Sequence, residues 1–209
     1  MKIADIYTKY LLPKNLQEHM FRVAAIATII TENWKGEDIP KEDVVNVCLF
    51  HDIAKPLTFT EEKQKMYGTS EEEIANIKKF KQIITAKYGS EEHHATLAIC
   101  KEEGLNERAI GIMHEFEWKN MQKMFDTNNL PVQIVLYCDM RIGPNGILPL
   151  QERLKNIETR YGKGLDHEMF MRLGLQLEKV IQEKTKIELN LIQENDLETH
   201  FSTLQNRSI

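Results

Sequence analysis

Val44-Val45-Asn46-Val47-Cys48-Leu49-Phe50-His51-Asp52-Ile53-Ala54-Lys55-Pro56 is the stretch from which the fold can be read. It opens as an apolar, helix-compatible run and closes on a histidine, an aspartate, a lysine and a proline. Val44, Val47, Cys48 and His51 recur at three- and four-residue intervals, one face of a helix, so the imidazole is expected to point where the core residues point. An imidazole and a carboxylate at the inner end of a buried helix need partners, because an unpaired buried polar group costs roughly 2–7 kcal/mol on transfer scales. A divalent cation is one such partner, since neutral imidazole and carboxylate both suit it. Pro56 cannot continue the helix, because its ring would meet the carbonyl of Asp52. The helix should end or deform at the pair. Successive helical side chains diverge by about 100°, and a loosened last turn would let both reach one point.

Outward from this stretch the chain reads as helical. Turn formers are sparse, ten Gly and six Pro in 209 residues, and apolar residues recur with helical rather than alternating spacing. Residues 1–11 predict a short amphipathic helix. A second runs from Pro13-Lys14-Asn15 to about Asn33, with Leu16, His19, Val23, Ile26 and Ile30 on its inner face. The polar residues 57–70 predict an irregular loop over a site. Helices are expected over 71–87, Glu91 to Glu103, Asn106 to about Glu117, Pro131 through Asp139, 148–161, and 165 to about 184. Residues 118–129 are mixed, 143–146 predict a sharp turn, and Gly162-Lys163-Gly164 predicts a break. Over 185–203 the alternation of Ile187, Leu189 and Leu191 suits a strand while the surrounding residues favour helix. The expected fold is all-α: one domain, 1–209, with its core over about 10–160 and a helical extension over 161–209.

Hydrophobic residues at 42% and charged residues at 28% match an ordinary soluble globular chain. A net charge of −5 with no basic stretch argues against a nucleic-acid-binding surface. The longest apolar stretch, Val23 to Ile30 with Thr28 inside it, falls far short of the ~20 residues that span a bilayer. Cys48, Cys100 and Cys138 are odd in number, far apart and in apolar helical contexts, so they are read as reduced core residues. With no secretory-type apolar run near Met1, a cytoplasmic location is expected. His167 and His200 are assigned no role and read as surface residues.

Five stretches carry a metal-competent residue on an apolar stripe. His19 lies between Leu16 and Val23, His51 follows Val47, His94 precedes Leu97 and Ala98, His114 follows Ile110, and Asp139 follows Val135. Side chains three or four apart share a helix face, so each is expected to point inward. A single inward histidine is most often a core residue bonded to a carbonyl, and Asp139 alone could cap a helix or pair with Arg141. Five such groups would need five separate explanations, whereas one shared metal centre accounts for all of them.

The order His, His-Asp, His, His, Asp on a helical chain resembles the HD-domain superfamily of metal-dependent phosphohydrolases. The matching pieces are His19-Met-Phe-Arg22-Val23, Leu49 to Lys55, Glu91-Glu92-His93-His94-Ala95, Ile112-Met113-His114 and Tyr137-Cys138-Asp139-Met140-Arg141, together spanning about residues 10–160. Leu150 to Leu154 and Arg160-Tyr161 extend the likeness to uncharacterised bacterial members. The resemblance implies a helical bundle with the metal site at its centre and extra C-terminal helices. It implies that His19, His51, Asp52 and Asp139 hold a first divalent ion, and that His94 and His114 hold a second with Asp52 bridging. One or two ions per chain are expected, with Mn, Fe, Mg, Zn and Ni not distinguished. His93 and His94 are adjacent and either could be the third histidine of the pattern. His94 is favoured because Ala98 then takes the small-residue position four later.

A bound divalent ion can lower the pKa of its water from 15.7 towards ~7. Cationic side chains should then neutralise a phosphate: Lys55 first, which the family often has at that place, then Arg22 and Arg141. Asp52 and Lys55 are the expected catalytic pair; Glu91 and Glu115 are weaker candidates for a base or a partner to a histidine ligand. The first functional expectation is hydrolysis of a phosphate ester or anhydride on a small molecule, a nucleotide being the first class to test. The second is a mixed-valent di-iron oxygenase, which some relatives with the same ligand order are. The third is a non-catalytic metal or nucleotide sensor. The apolar spacing from Phe170 to Ile181 suits a homodimer interface or, more commonly, packing on the chain's own core.

Overall fold

The structure, a computed structural model, describes residues 1–117, 120–143, 145–161 and 167–209, and for 158–161 and 167 it describes the backbone alone. Among the described residues the α-helices are α1 (Ile3–Lys9), α2 (Lys14–Glu32), α3 (Lys41–Phe50), α4 (Glu61–Met66), α5 (Glu71–Tyr88), α6 (Glu92–Glu102), α7 (Glu107–Glu115), α8 (Met121–Asp126), α9 (Leu130–Arg141), α10 (Leu150–Tyr161), α11 (His167–Glu183) and α12 (Glu194–Gln205). A hairpin of two short strands, β1 (Ile142–Gly143) and β2 (Gly146–Ile147), follows α9, with Ile142 opposite Ile147. The fold is all-α, as the periodicity predicts.

Helices α2, α3 and α9 pack on one another and form the centre. Helix α7 lies on α3, α12 on α2, and α10 and α11 on α9. Helix α6 is farther out, against α7 and α5. The sequence of α9 explains its place: Leu130 and every residue from Val132 to Arg141 are buried, so it has no face for solvent. Each fully buried large apolar side chain contributes about 1.5–3 kcal/mol relative to exposure. Local signals then set the ends. Ser70 and Glu73 form a reciprocal cap on α5, Asn106 Oδ1 accepts the Ala109 N–H at 2.9 Å at the start of α7, and Pro131 sits in the first turn of α9. Buried Asp43 near the start of α3 accepts Asn106 Nδ2 at 2.6 Å and pairs with Arg108, fastening α3 to α7.

Two expectations need correction here. The loop expected over 57–70 contains α4. Thr60 caps it by accepting the Lys63 N–H, Glu61 and Glu62 occupy its first turn, and Lys65 pairs with Glu61 at 2.9 Å. Capping and charge stabilise this helix instead of an apolar stripe, which is why the spacing did not reveal it. The mixed stretch 118–129 likewise contains α8. The ambiguous 185–203 resolves into a single 3-10 turn, Leu189–Leu191, followed by α12. The break at 162–164 and Pro144 of the sharp turn lie outside the described residues. Phe170, Leu173, Leu177 and Ile181 are buried within the chain, so this stripe packs on its own core. That core includes residues from Ile3 to Leu204. Cys48, Cys100 and Cys138 are free and buried. Among the described residues, no helix is long and apolar enough to cross a membrane.

Candidate metal centre

Helix α3 ends at Phe50, and the chain tightens through the next turn. Ile53 N–H donates to Phe50 O at 3.0 Å and Lys55 N–H to Asp52 O at 2.9 Å, three-residue bonds that lead into a 3-10 turn over Lys55–Thr58. This is the loosened end that Pro56 requires. The His51 side chain is fully enclosed, and its Nδ1 meets Cys48 O at 2.8 Å. A ring that donates Nδ1–H to a backbone carbonyl has its Nε2 free to act as a ligand, a common device for orienting a metal-binding imidazole.

The Nε2 of His51 faces three other side chains. His19 Nε2, from α2, lies 3.2 Å away, and Asp139 Oδ1, from α9, lies 3.6 Å away. His19 Nε2 and Asp139 Oδ1 are 3.2 Å apart. Asp52 Oδ2 is 3.8 Å from both imidazole nitrogens. Ligand bonds of about 2.0–2.2 Å around one ion place neighbouring donors roughly 3–3.5 Å apart, close to this spacing. His19, His51 and Asp139 therefore form a site able to coordinate one divalent ion.

The electrostatics agree. Burial disfavours a charged His51, but Asp52 and Asp139 outweigh it and push the imidazole up to about 10. Burial also works against the Asp139 carboxylate, yet His51 and His19 hold it well below the usual range. The two carboxylates that favour a proton on the ring equally favour a cation beside it.

Lys55 reaches the edge of this cluster. Its Nζ is 3.7 Å from Asp52 Oδ1 and 3.1 Å from Glu92 Oε1. Asp52 raises the Lys55 pKa, and Glu92 adds to this despite partial burial. Burial in turn raises the Glu92 carboxyl, with Lys55 opposing. Glu92 was not anticipated; the Glu91-Glu92-His93-His94 run was the available signal, and only packing shows which acid faces the site. Glu91 instead caps α6, accepting the N–H groups of His93 and His94. Glu115 accepts Asn129 Nδ2 at 2.9 Å and is exposed.

Both arginines are engaged by partners within the protein. Arg141 is 1% exposed. Its Nε donates to Leu148 O at 2.7 Å, and one terminal nitrogen donates to Tyr137 Oη at 2.7 Å and Leu189 O at 2.9 Å. It is a buried staple with no open face for a phosphate, which corrects the expectation. Arg22 is part-buried and pairs with Glu194 from α12 and, at 3.4 Å, with Glu18.

The third and fourth histidines of the pattern are not drawn into the cluster. His94, expected to face inward, is exposed, and so is His114. The neighbour His93 turns toward α7 instead, with its ring centroid 6.3 Å from that of His114 and its Nε2 3.3 Å from His114 O. The physical reason is the register of α6. Ala95, Thr96, Ile99 and Cys100 take the buried face, which lies roughly opposite the one inferred through His94, Leu97 and Ala98.

An all-helical bundle with a His-His-Asp site between its central helices defines a metal-binding protein whose fold and site are consistent with metal-dependent phosphohydrolases. The family model described as the HD domain matches residues 16–167, well over half of the chain, and the chain belongs to that family. No curated protein and no solved structure matched it.

Proposed function

We propose that this protein hydrolyses a phosphate ester or anhydride bond of a small phosphorylated molecule, with a nucleotide as the first class to test. The observation that carries the reading is the meeting of His19, His51 and Asp139, with Asp52 at 3.8 Å, beside a lysine that reaches Asp52. His19, His51, Asp52 and Asp139 would hold a divalent ion, which lowers the pKa of a bound water towards ~7 and polarises a phosphoryl oxygen. Asp52 turns one oxygen toward the imidazoles and the other toward Lys55, so it joins the metal site to the phosphate subsite. Lys55 donates to a phosphate oxygen and offsets the charge that develops during displacement. Glu92 holds that ammonium in place.

One ion suffices for this reading. His94 and His114 are both exposed, and it is the ring of His93 that lies near His114, with centroids 6.3 Å apart. The oxygenase alternative asks for two ions and gains no support from this geometry.

The test is elemental analysis of the purified protein, followed by phosphate release from a panel of nucleotides and sugar phosphates with added Mn²⁺, Mg²⁺, Co²⁺, Zn²⁺, Ni²⁺ or Fe²⁺. Metal-dependent release that disappears in His51→Ala is the expected result. Stoichiometric metal without release from any member of the panel would overturn the hydrolase reading and favour the sensor.

A further inference from the structure

The segment beyond the family-matched span grips two of the three ligand-bearing central helices, α2 and α9, at several points. At the C-terminal end of α2, Lys186 N–H donates to Asn33 O at 2.9 Å and Lys35 N–H to Lys184 O at 2.9 Å. At the end of α9, Leu189 O accepts from Arg141, two residues after Asp139. Glu194 opens α12 and reaches α2 and the hairpin after α9 with one carboxylate. One oxygen pairs with Arg22, which lies one turn after His19 on α2; the other accepts the Ile147 N–H at 3.0 Å from the hairpin that directly follows α9. The hairpin is shaped for this contact. A Cβ at Gly146 would lie 2.6 Å from Glu194 Oε2, and its φ of +123° is one that side chains rarely adopt.

We propose that Glu194 is a positioning residue for the metal centre. Its carboxylate ties Arg22 on α2 to the backbone that follows Asp139, and so holds His19 and Asp139 at a separation at which they share a cation. The inference rests on the metal reading of the site. It follows from two physical effects acting in the same direction. Loss of the carboxylate removes a bridge between α2 and the hairpin, which loosens the spacing of ligands carried by the two helices. It also removes the strongest partner of a part-buried guanidinium one turn from His19, and net positive charge near the site opposes binding of a divalent cation. Groups that hydrogen-bond a metal ligand directly typically change metal affinity by 10–100-fold, and Glu194, one step further out, is expected at the low end of that range.

The test is Mn²⁺ and Co²⁺ affinity by calorimetry, together with the visible spectrum of the Co²⁺ form, which reports ligand geometry independently of turnover. Glu194→Ala is expected to weaken both ions about 10-fold and to shift the Co²⁺ bands, and Glu194→Gln to fall between it and the unaltered protein, because an amide oxygen still accepts one bond. Arg207→Ala serves as the control. It frees the end of the same segment from Glu42 and Asn46 on α3, and is expected to lower thermal stability while leaving affinity and spectrum unchanged. Should Glu194→Ala fail to fold, an intermediate loss in Glu194→Gln supports the inference and its absence overturns it. Unchanged affinity and bands in the Glu194 variants, or equal weakening by Arg207→Ala, would overturn this inference alone. Unaltered protein that binds neither ion would overturn the metal reading, and this inference with it.

Discussion

Two sets of histidines sit on or at the ends of helices with similar apolar spacing, yet they end up in different surroundings. His19 and His51 lie within 3.2 Å of each other between α2 and α3, with Asp139 of α9 closing the group. His93 and His114 face each other across α6 and α7 with ring centroids 6.3 Å apart, and His94 faces solvent. The difference lies in what covers each helix. The first set stands where three mutually packed helices enclose His51 and leave His19 only partly exposed; the second stands where α6 packs on α7, α5 and the 3-10 turn at Lys55–Thr58 with His94 left exposed. An apolar stripe brings a histidine to a helix interface, but convergence requires a third helix to close over it.

The largest effect should come from breaking the enclosed set. His51→Ala or Asp139→Ala removes a ligand at a fully or nearly enclosed position. Metal affinity should fall by more than the roughly 10–100-fold typical of an outer partner, with phosphate release dropping to background. Calorimetry with Mn²⁺ and a phosphate assay measure the two losses. Retained stoichiometric metal in either variant would show that the enclosed set is not the site.

Next comes the staple behind it. Arg141→Ala leaves Tyr137 Oη, Leu148 O and Leu189 O without a buried donor. At about 1–3 kcal/mol for each unsatisfied group, unfolding stability should fall by about 3 kcal/mol or more, read by urea denaturation. Because Arg141 is enclosed, KM for a phosphorylated substrate should change far less than in Lys55→Ala. For Lys55→Ala, loss of a charged hydrogen bond worth about 2 kcal/mol predicts roughly 30-fold lower kcat/KM, with little change in melting temperature.

The outer set should respond weakly. His94→Ala changes an exposed side chain and should shift stability by no more than about 0.5 kcal/mol, with one metal per chain retained. A loss of the ion in this variant would mean that α6 closes inward when metal binds.

The smallest effect concerns how the outer region is fastened. Helix α6 is held to α5 and α1 partly by Glu102, whose carboxylate pairs with Lys87 and accepts from Tyr88, with Lys9 at 3.5 Å. Lys87, then Tyr88, lower its pKa from 4.5 to about 2. A folded-state pKa depressed below the unfolded one gives stability that is present above about pH 4.5 and lost as pH falls toward 2. Glu102→Gln should therefore flatten the acid side of the stability profile over that window. Denaturation midpoints collected across it make the comparison.

Much of the fold was legible because its helices carry a buried stripe. The periodicity of Leu16, His19, Val23, Ile26 and Ile30 places α2, and the collision between Pro56 and a helical Asp52 places the end of α3 within a residue or so. Elements without a stripe escaped notice: α4 is held by Thr60 and charge pairs, and the 3-10 turn at Leu189–Leu191 begins with a pattern that mimics a strand. In the site, His19, His51 and Asp139, which the structure brings together, were identifiable from their spacing and from the family pattern, and Asp52 lies 3.8 Å from both imidazoles. His94 and Arg141 were not placed correctly, for reasons of register and of long-range partners. Ala98 and Leu97 made a plausible inner face for α6, but the buried face runs through Ala95, Thr96, Ile99 and Cys100. Nothing near Arg141 in the chain shows that Leu189, forty-eight residues on, supplies an acceptor for it.

The sequence by itself determined that the segments with an apolar stripe are helices, which residues in the central ones must face inward, and where one helix has to break, because these follow from side-chain spacing and from the stereochemistry of proline. Only the tertiary structure decided which inward groups meet, which way the two adjacent histidines turn, and which cations are committed to internal partners. Those outcomes depend on how helices far apart in the chain pack against one another, a property that belongs to no single stretch of it.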